Sequence, residues 1–234
     1  MTGGDPPGRL IGAGRAADVY DLGGGRVLRR YRVNANAEPE ATLMRYLREA
    51  GLGVPEVYDA DGTDLVMAKL DGIDLLSDLS RRPWRAARHA TMLARMHDQL
   101  HEIVAPSWLE RPFGEGDRVL HLDLHPGNVM LTANGPMIID WSNGAAGPPG
   151  ADVAMASVIM TTSEVDDLPL PVRLIAEQVR RRMIGRFEGS VSHDFRPYVV
   201  AVAKLRIVDR NVRPAEVTIL QQMIDGQPSI DGHG

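Results

Sequence analysis

The sequence predicts an α+β fold of two lobes: an N-terminal antiparallel sheet with one helix, then a mainly helical C-terminal lobe. Three observations carry this. Residues 10–32 and 55–68 alternate apolar and polar positions around Gly and Asp-Gly turns, the pattern of hairpin-linked strands. From residue 83 the apolar spacing becomes helical. Between these regions two short apolar runs each deliver an acid, in Val119-Leu120-His121-Leu122-Asp123 and in Met137-Ile138-Ile139-Asp140. The expected boundary divides the chain into residues 1–70 and 71–234.

Taken in order, Leu10-Ile11 leads into Gly12-Ala13-Gly14, then Val19-Tyr20, a Gly23-Gly24-Gly25 turn and the run Arg26-Val27-Leu28-Arg29-Arg30-Tyr31. That is a β-meander. In a dinucleotide-binding βαβ unit the Gly loop would open a helix, which Val19-Tyr20 and the triple Gly oppose. Gly12 and Gly14 permit positive φ and close approach to an anion. Residues 38–50 read as a helix with Pro39 in its first turn and Gly51 as its stop. Strands follow on both sides of Asp61-Gly62, and Leu70-Asp71-Gly72 reads as the connector.

Pro83 is expected to begin a helix through Val104, with Leu93, His97, Leu100 and Val104 on one stripe. Gly144–Gly150 reads as a loop. Helices are expected over Ala151–Thr161, Pro171–Phe187, Phe195–Val208 and Pro214–Ile224. Arg180-Arg181-Arg182 reads as a solvated helix face rather than an anion site. Both chain ends, rich in Gly and Pro, read as frayed.

Composition narrows the function. At 234 residues the chain is long enough to bury a core, and 44% apolar with 24% charged residues is ordinary for a globular protein. The net charge of −5 argues against nucleic acid as a partner. No run approaches the ~18 apolar residues of a membrane span. There is no cysteine, which excludes disulfides, thiolate metal sites and a Cys nucleophile. With no signal-peptide pattern at the N-terminus, a reducing cytoplasm is the expected compartment.

Asp123, Asn128 and Asp140 form the chemical centre. Phosphoryl transfer needs alignment of nucleophile and phosphate, and charge neutralisation by Mg²⁺ and cations. Carboxylate and amide oxygens suit Mg²⁺, and a carboxylate beside a hydroxyl can take its proton. A zinc site from His121, Asp123 and His125 would leave Asn128 and Asp140 unused. These residues point to an ATP-dependent transfer to a hydroxyl.

The string His121-Leu-Asp123-Leu-His125-Pro-Gly-Asn128 followed by Ile138-Ile139-Asp140 resembles the aminoglycoside phosphotransferase and choline kinase-like family, a branch of the protein-kinase-like fold. Leu93-Ala94-Arg95-Met96-His97 and Gly147–Ala154 resemble further segments of it. The resemblance implies ATP and Mg²⁺ as cofactors and a small-molecule hydroxyl as acceptor: an aminoglycoside-like antibiotic, an amino alcohol or a sugar. It implies Asp123 as the catalytic base, Asn128 and Asp140 as Mg²⁺ ligands, and Glu40 as the helix acid that pairs with the phosphate-binding cation. Gly12 and Gly14 would cover the nucleotide, and Met67, Ala68 and Lys69 would contact adenine through backbone groups. Asp152 is implied as a structural acid, and His121 as a prop for the catalytic loop.

Two departures stand out. The family places a Lys on the third strand, whereas here the stretch is Arg26-Val27-Leu28-Arg29-Arg30. Strand alternation puts Val27 and Arg29 on one face, which favours Val27 as an adenine contact and Arg29 as the cation, with Arg30 as the alternative. Ala17 replaces the third loop glycine. Arg in place of Lys opens a second reading, a nucleotide-binding protein with little catalysis, which the presence of Asp123, Asn128 and Asp140 opposes. Asp209 and Glu164 are candidate acids for a cationic acceptor.

Overall fold

A computed structural model describes residues 8–14, 16–32, 36–163, 169–209 and 212–226. Glu164 and the two chain ends, Met1–Pro7 and Gln227–Gly234, lie outside them. The chain forms two compact units. One comprises Met1–Ile73 with Val129–Ser142, the other Asp74–Asn128 with Asn143–Gly234.

The first unit is built on a five-stranded antiparallel sheet of order β1-β2-β3-β5-β4: β1 (Arg9–Ala13), β2 (Ala17–Gly23), β3 (Arg26–Tyr31), β4 (Val57–Asp61) and β5 (Asp64–Ala68). The β2–β3 turn carries Gly23, Gly24 and Gly25 at φ of 75°, 58° and 75°, a left-handed run that side chains resist. Helix α1 (Glu38–Glu49) packs against β4 and buries Ala41, Leu43, Met44 and Leu47. The sheet-side residue pairs are in register, with Val27 opposite Met67 and Arg29 opposite Leu65.

A second, three-stranded sheet belongs mostly to this unit: β6 (Gly72–Asp74), β8 (Val129–Thr132) and β9 (Gly135–Ile138), in the order β6-β8-β9. Neither β6 nor β8 is expected from the sequence; β6 has three residues and pairs with the distant β8, and β8 in turn forms a hairpin with β9. Their pairing explains why residues so late in the chain join the N-terminal unit. A Cβ at Gly72 would lie 2.3 Å from the Leu131 carbonyl oxygen, so only glycine allows β6 this close. The Ile138 N–H also donates to the Gly53 carbonyl at 2.8 Å.

The second unit is helical. It contains α2 (Leu75–Arg81), α3 (Ala86–His101), α4 (Pro149–Thr162), α5 (Leu170–Glu188), α6 (Val199–Ile207) and α7 (Pro214–Ile224). The Asp74 carboxylate caps α2 by accepting from the Ser77 N–H at 2.8 Å. Pro83–Arg85 is a short 3₁₀ turn before α3, and α3 stops at His101 rather than Val104. Val104 is half exposed and bridges to Arg118, while Leu93, His97 and Leu100 form the buried stripe. The expected loop at Gly144–Gly150 contains a strand, β10 (Ala145–Gly147), paired antiparallel with β7 (Arg118–Leu120). Its residues are small and buried, so the signal is burial rather than alternation.

Helix α4 is apolar all round and is the buried centre of this unit, with Val153, Ala154, Val158 and Ile159 shielded. Helix α5 buries only Met183 and Phe187 among its described side chains. The Arg180–Arg182 run is split. Arg180 is half-buried and pairs with Glu177 at 2.7 Å, whereas Arg181 and Arg182 are exposed.

Candidate functional site

The first unit gathers charge around Arg29. Strand β3 places Val27, Arg29 and Tyr31 on alternate positions, and α1 brings Glu40 over them. Arg29 Nη1 lies 2.8 Å from Glu40 Oε1, and Nη2 lies 2.5 Å from Asp140 Oδ1. The Tyr31 hydroxyl donates to Glu40 Oε2, and the Trp141 N–H donates to Glu40 Oε1 at 3.0 Å. Glu40 thus accepts from a guanidinium, a phenol and a backbone amide, the satisfaction a carboxylate 5% exposed requires.

Burial disfavours the charged form of Arg29, but Glu40 and Asp140 together outweigh it and hold the guanidinium above its ordinary range. Burial pushes the Glu40 carboxyl upward, with Arg29 and Tyr31 opposing. Tyr31 is pushed up by burial and by the Glu40 charge. Arg30, the alternative cation, faces elsewhere: its Nε and Nη2 meet the two Asp64 oxygens at 2.7 and 2.6 Å.

Asp140 follows β9 with a left-handed φ of 65°, a conformation that Asp tolerates better than most residues. Buried Trp141 fixes the backbone after it, its indole N–H donating to the Ile138 carbonyl at 3.2 Å. The Asp140 carboxylate, half exposed, also accepts from the Ser142 hydroxyl at 2.9 Å. On the sheet, Gly12 lies in β1 and the Gly14 N–H donates to the Ala17 carbonyl at 2.9 Å. Neither glycine takes the left-handed φ that the sequence allowed for. The Ala68 N–H donates to Glu56, the Lys69 N–H donates to Gly25, and Lys69 Nζ meets Asp21 at 2.7 Å. Met67 sits in β5 opposite Val27.

The second unit holds Asp123 and Asn128 on one tightly tied loop. Strand β7 ends at Leu120, and a buried carboxylate catches the chain as it turns. Asp152, in the first turn of α4, accepts from the Leu122 N–H at 2.7 Å and the His121 N–H at 3.2 Å. His101 Nε2, from α3, donates to the same carboxylate at 3.0 Å. Burial alone would raise the Asp152 pKa; the His101 hydrogen bond and surrounding imidazoles reverse it and hold the group well below the carboxylate range. Caught this way, Leu122 adopts φ of 58°, costly for a branched residue.

The hydrogen bonding continues at the next residue. The Asp123 N–H donates to His121 Nδ1 at 3.2 Å. Asn128 Nδ2 donates to both the Asp123 carbonyl and its Oδ2 at 2.9 Å, closing the loop. That commitment of Nδ2 leaves Oδ1 as the Asn128 atom suited to a cation. His125 Nδ1 accepts from the Gly127 N–H at 3.0 Å, and its Nε2 stands 3.9 Å from Asp123 Oδ1. Among the described residues no group of three His, Asp or Glu side chains is placed to hold a metal, so a zinc site of His121, Asp123 and His125 is not formed. Asp140 in the first unit and Asn128 in the second each carry a hard oxygen donor of the kind that suits a divalent cation.

Asp209 lies just after α6, half-buried. Two residues escaped sequence reasoning. Tyr31 shares the alternation of Val27 and Arg29, which could have placed it beside Glu40. His101 lies one turn after His97 on α3, which could have placed both on the Asp152 side.

No described helix is long and apolar enough to cross a membrane. No curated protein matches the sequence. Among solved structures, ADP-bound aminoglycoside phosphotransferase APH(2'')-Ib is similar at 12% identity, over 94% of this chain and 92% of that one, with a TM-score of 0.60. A thermostable mutant of aminoglycoside phosphotransferase APH(4)-Ia, in a ternary complex with AMP-PNP and hygromycin B, gives 15% identity, 93% and 91% coverage and a TM-score of 0.60. Plasmodium vivax ethanolamine kinase gives 12% identity, 93% and 80% coverage and 0.58. These likenesses show the protein-kinase-like fold. The phosphotransferase enzyme family matches residues 7–118 and 73–186, overlapping spans that cover most of the chain. With that match beside an Arg29–Glu40–Asp140 cluster and an Asp123–Asn128 loop, the chain belongs to the phosphotransferase enzyme family.

Proposed function

We propose that the chain transfers the γ-phosphoryl group of ATP to a hydroxyl of a small molecule, an aminoglycoside-like antibiotic, an amino alcohol or a sugar. The observation that carries this is the Asp123 carboxylate, half exposed and held by Asn128 on a loop that buried Asp152 anchors. A carboxylate so fixed can orient an acceptor hydroxyl and take its proton. The acceptor oxygen bonds to the γ-phosphorus, the bond to the β,γ-bridging oxygen breaks, and ADP leaves.

In this reading Arg29 grips the α- and β-phosphates and Glu40 positions it. Gly12 and Gly14 cover the phosphates, Val27 borders adenine, and Met67, Ala68 and Lys69 form the backbone edge near it. Asn128 and Asp140 would hold Mg²⁺, which when bound neutralises phosphate charge. The compartment we propose is the cytoplasm.

One observation favours the alternative of a nucleotide-binding protein with little catalysis. Arg29 already occupies Asp140 Oδ1 at 2.5 Å, and a metal must share that carboxylate. Acceptor-dependent ADP release with Mg²⁺, measured over panels of antibiotics and amino alcohols, separates the two. We expect turnover with at least one acceptor and its loss in Asp123→Asn, by about 10²–10⁴-fold. Turnover unchanged in Asp123→Asn overturns the mechanism. Tight ATP binding with no turnover across the panels favours the alternative.

A further inference from the structure

Helices α3 and α5 pack side by side and leave a groove of about 1030 Å³. Arg88 and Arg95 line it from α3, and Arg181, Arg182 and Arg186 from α5. Among the described residues no carboxylate lines it. Ala87 and Gly185 keep the floor low, and a Cβ at Gly185 would meet nothing within 4 Å.

This concentration of positive charge runs against the chain, whose net charge is −5. Many other arginines here are neutralised: Arg29, Arg30, Arg32, Arg82 and Arg206 each pair with a carboxylate. By contrast Arg88, Arg95 and Arg182 make no ion pair or hydrogen bond with the described residues. Arg186 is aimed rather than neutralised, its Nε donating to Thr91 Oγ1 at 3.1 Å across the two helices. Arg181 pairs through Nε with Glu177 at 2.8 Å.

Arg181 apart, these charges have no acid paired with them among the described residues, and holding like charges together costs energy unless an anion offsets it. Arg88 and Arg95 are about 10 Å apart along α3, and Arg182 and Arg186 about 6 Å apart along α5. One phosphate cannot reach both ends of such an array. Guanidinium forks match phosphate oxygens in pairs. We propose that the α3/α5 groove binds an anion carrying two or more phosphoryl groups, at a site separate from the phosphotransfer residues.

The test uses the full chain, isotope-labelled and titrated with inorganic tripolyphosphate while backbone amide resonances are followed. In parallel, sedimentation compares phosphatidylcholine vesicles with vesicles that also contain a phosphatidylinositol bisphosphate. We expect the Thr91 and Gly185 amides to shift with tripolyphosphate, and Arg95→Gln and Arg182→Gln each to weaken binding about tenfold. Binding to the bisphosphate vesicles alone, lost in the double variant, supports the proposal with a lipid headgroup as source. Tripolyphosphate that shifts only amides near Gly12 or Arg29, or binding of either probe unaffected by these substitutions, overturns it. So does the absence of binding to both probes. The substituted residues are exposed and carry no ion pairs, so folding is preserved; Arg88→Gln provides an independent check. Because the readout is binding at α3 and α5, it is unaffected by whether the chain turns over ATP.

Discussion

Arg29 Nη2 lies 2.5 Å from Asp140 Oδ1, although 111 positions separate the two residues. The same guanidinium holds Glu40 through Nη1. One planar cation therefore joins a strand, a helix and the residue after a hairpin, a span that a point-like ammonium covers less well.

Removing that cation should be expensive. Arg29→Ala strands the buried Glu40 carboxylate, and we expect a loss of about 3 kcal/mol or more in unfolding free energy. Arg29→Lys keeps the charge but not the fork, so its loss should be smaller. Denaturant melts of both variants check this, and equal stability in all three proteins would show the cluster to be energetically idle.

Tyr31→Phe isolates one donor of the same cluster. Hydrogen bonds to charged groups contribute about 1.5–3 kcal/mol, so we expect destabilisation in that range with little change in packing. Combined with Arg29→Ala, the cost should be non-additive, because both act on Glu40. A double-mutant cycle measures the coupling.

Asp152→Asn tests the anchor beneath the Asp123 loop. The amide cannot accept from two backbone N–H groups and His101 as a carboxylate does. We expect about 3 kcal/mol of lost stability and, under the proposed function, about 10²-fold lower transfer as Asp123 moves. Unchanged turnover in a destabilised variant would separate the anchor from the chemistry.

His97 makes stability depend on pH. Burial holds its pKa down at about 4, and its Nδ1 donates to the Leu93 carbonyl at 2.9 Å. Nε2 is buried and has no hydrogen-bond partner, so a second proton finds no acceptor there. Asp152, His101 and His121 surround it, and the Asp152 charge only partly offsets the burial. An unfolded His takes a proton below pH ~6.5, so between pH 6.5 and 4 the unfolded chain binds more protons. Stability from this group is therefore complete above pH 6.5 and lost as pH falls toward 4, by about 2 kcal/mol at pH 5. His97→Leu should flatten the difference between melts at pH 7 and pH 5. An unchanged difference would assign the acid sensitivity elsewhere.

Local signals made much of this protein legible from its residues. Alternation and the triple glycine marked the meander, Pro39 and Gly51 bracketed α1, and Pro214–Ile224 read correctly to the residue. These features depend on neighbours two to four positions apart, which the sequence displays directly. Strands β6 and β10 were hidden because they are three residues long and pair with strands distant in the chain, whereas β8 forms a local hairpin with β9 that Asn134-Gly135 could have marked. Helix α3 stopped before Val104 because the chain turns there to bridge Arg118, a partner fourteen positions on.

The candidate site divides the same way. Residue types and spacing in His121–Asn128 and Ile138–Asp140 sufficed to single out Asp123, Asn128 and Asp140. Strand alternation sufficed to put Arg29 with Val27. What spacing could not supply was the choice between partners distant in sequence. That Asp152 would catch the Leu122 N–H, that Tyr31 would join Glu40, and that Arg29 would reach Asp140 were decided by packing. Buried charge must find its counter-groups wherever the fold brings them, and the sequence alone does not contain those distances.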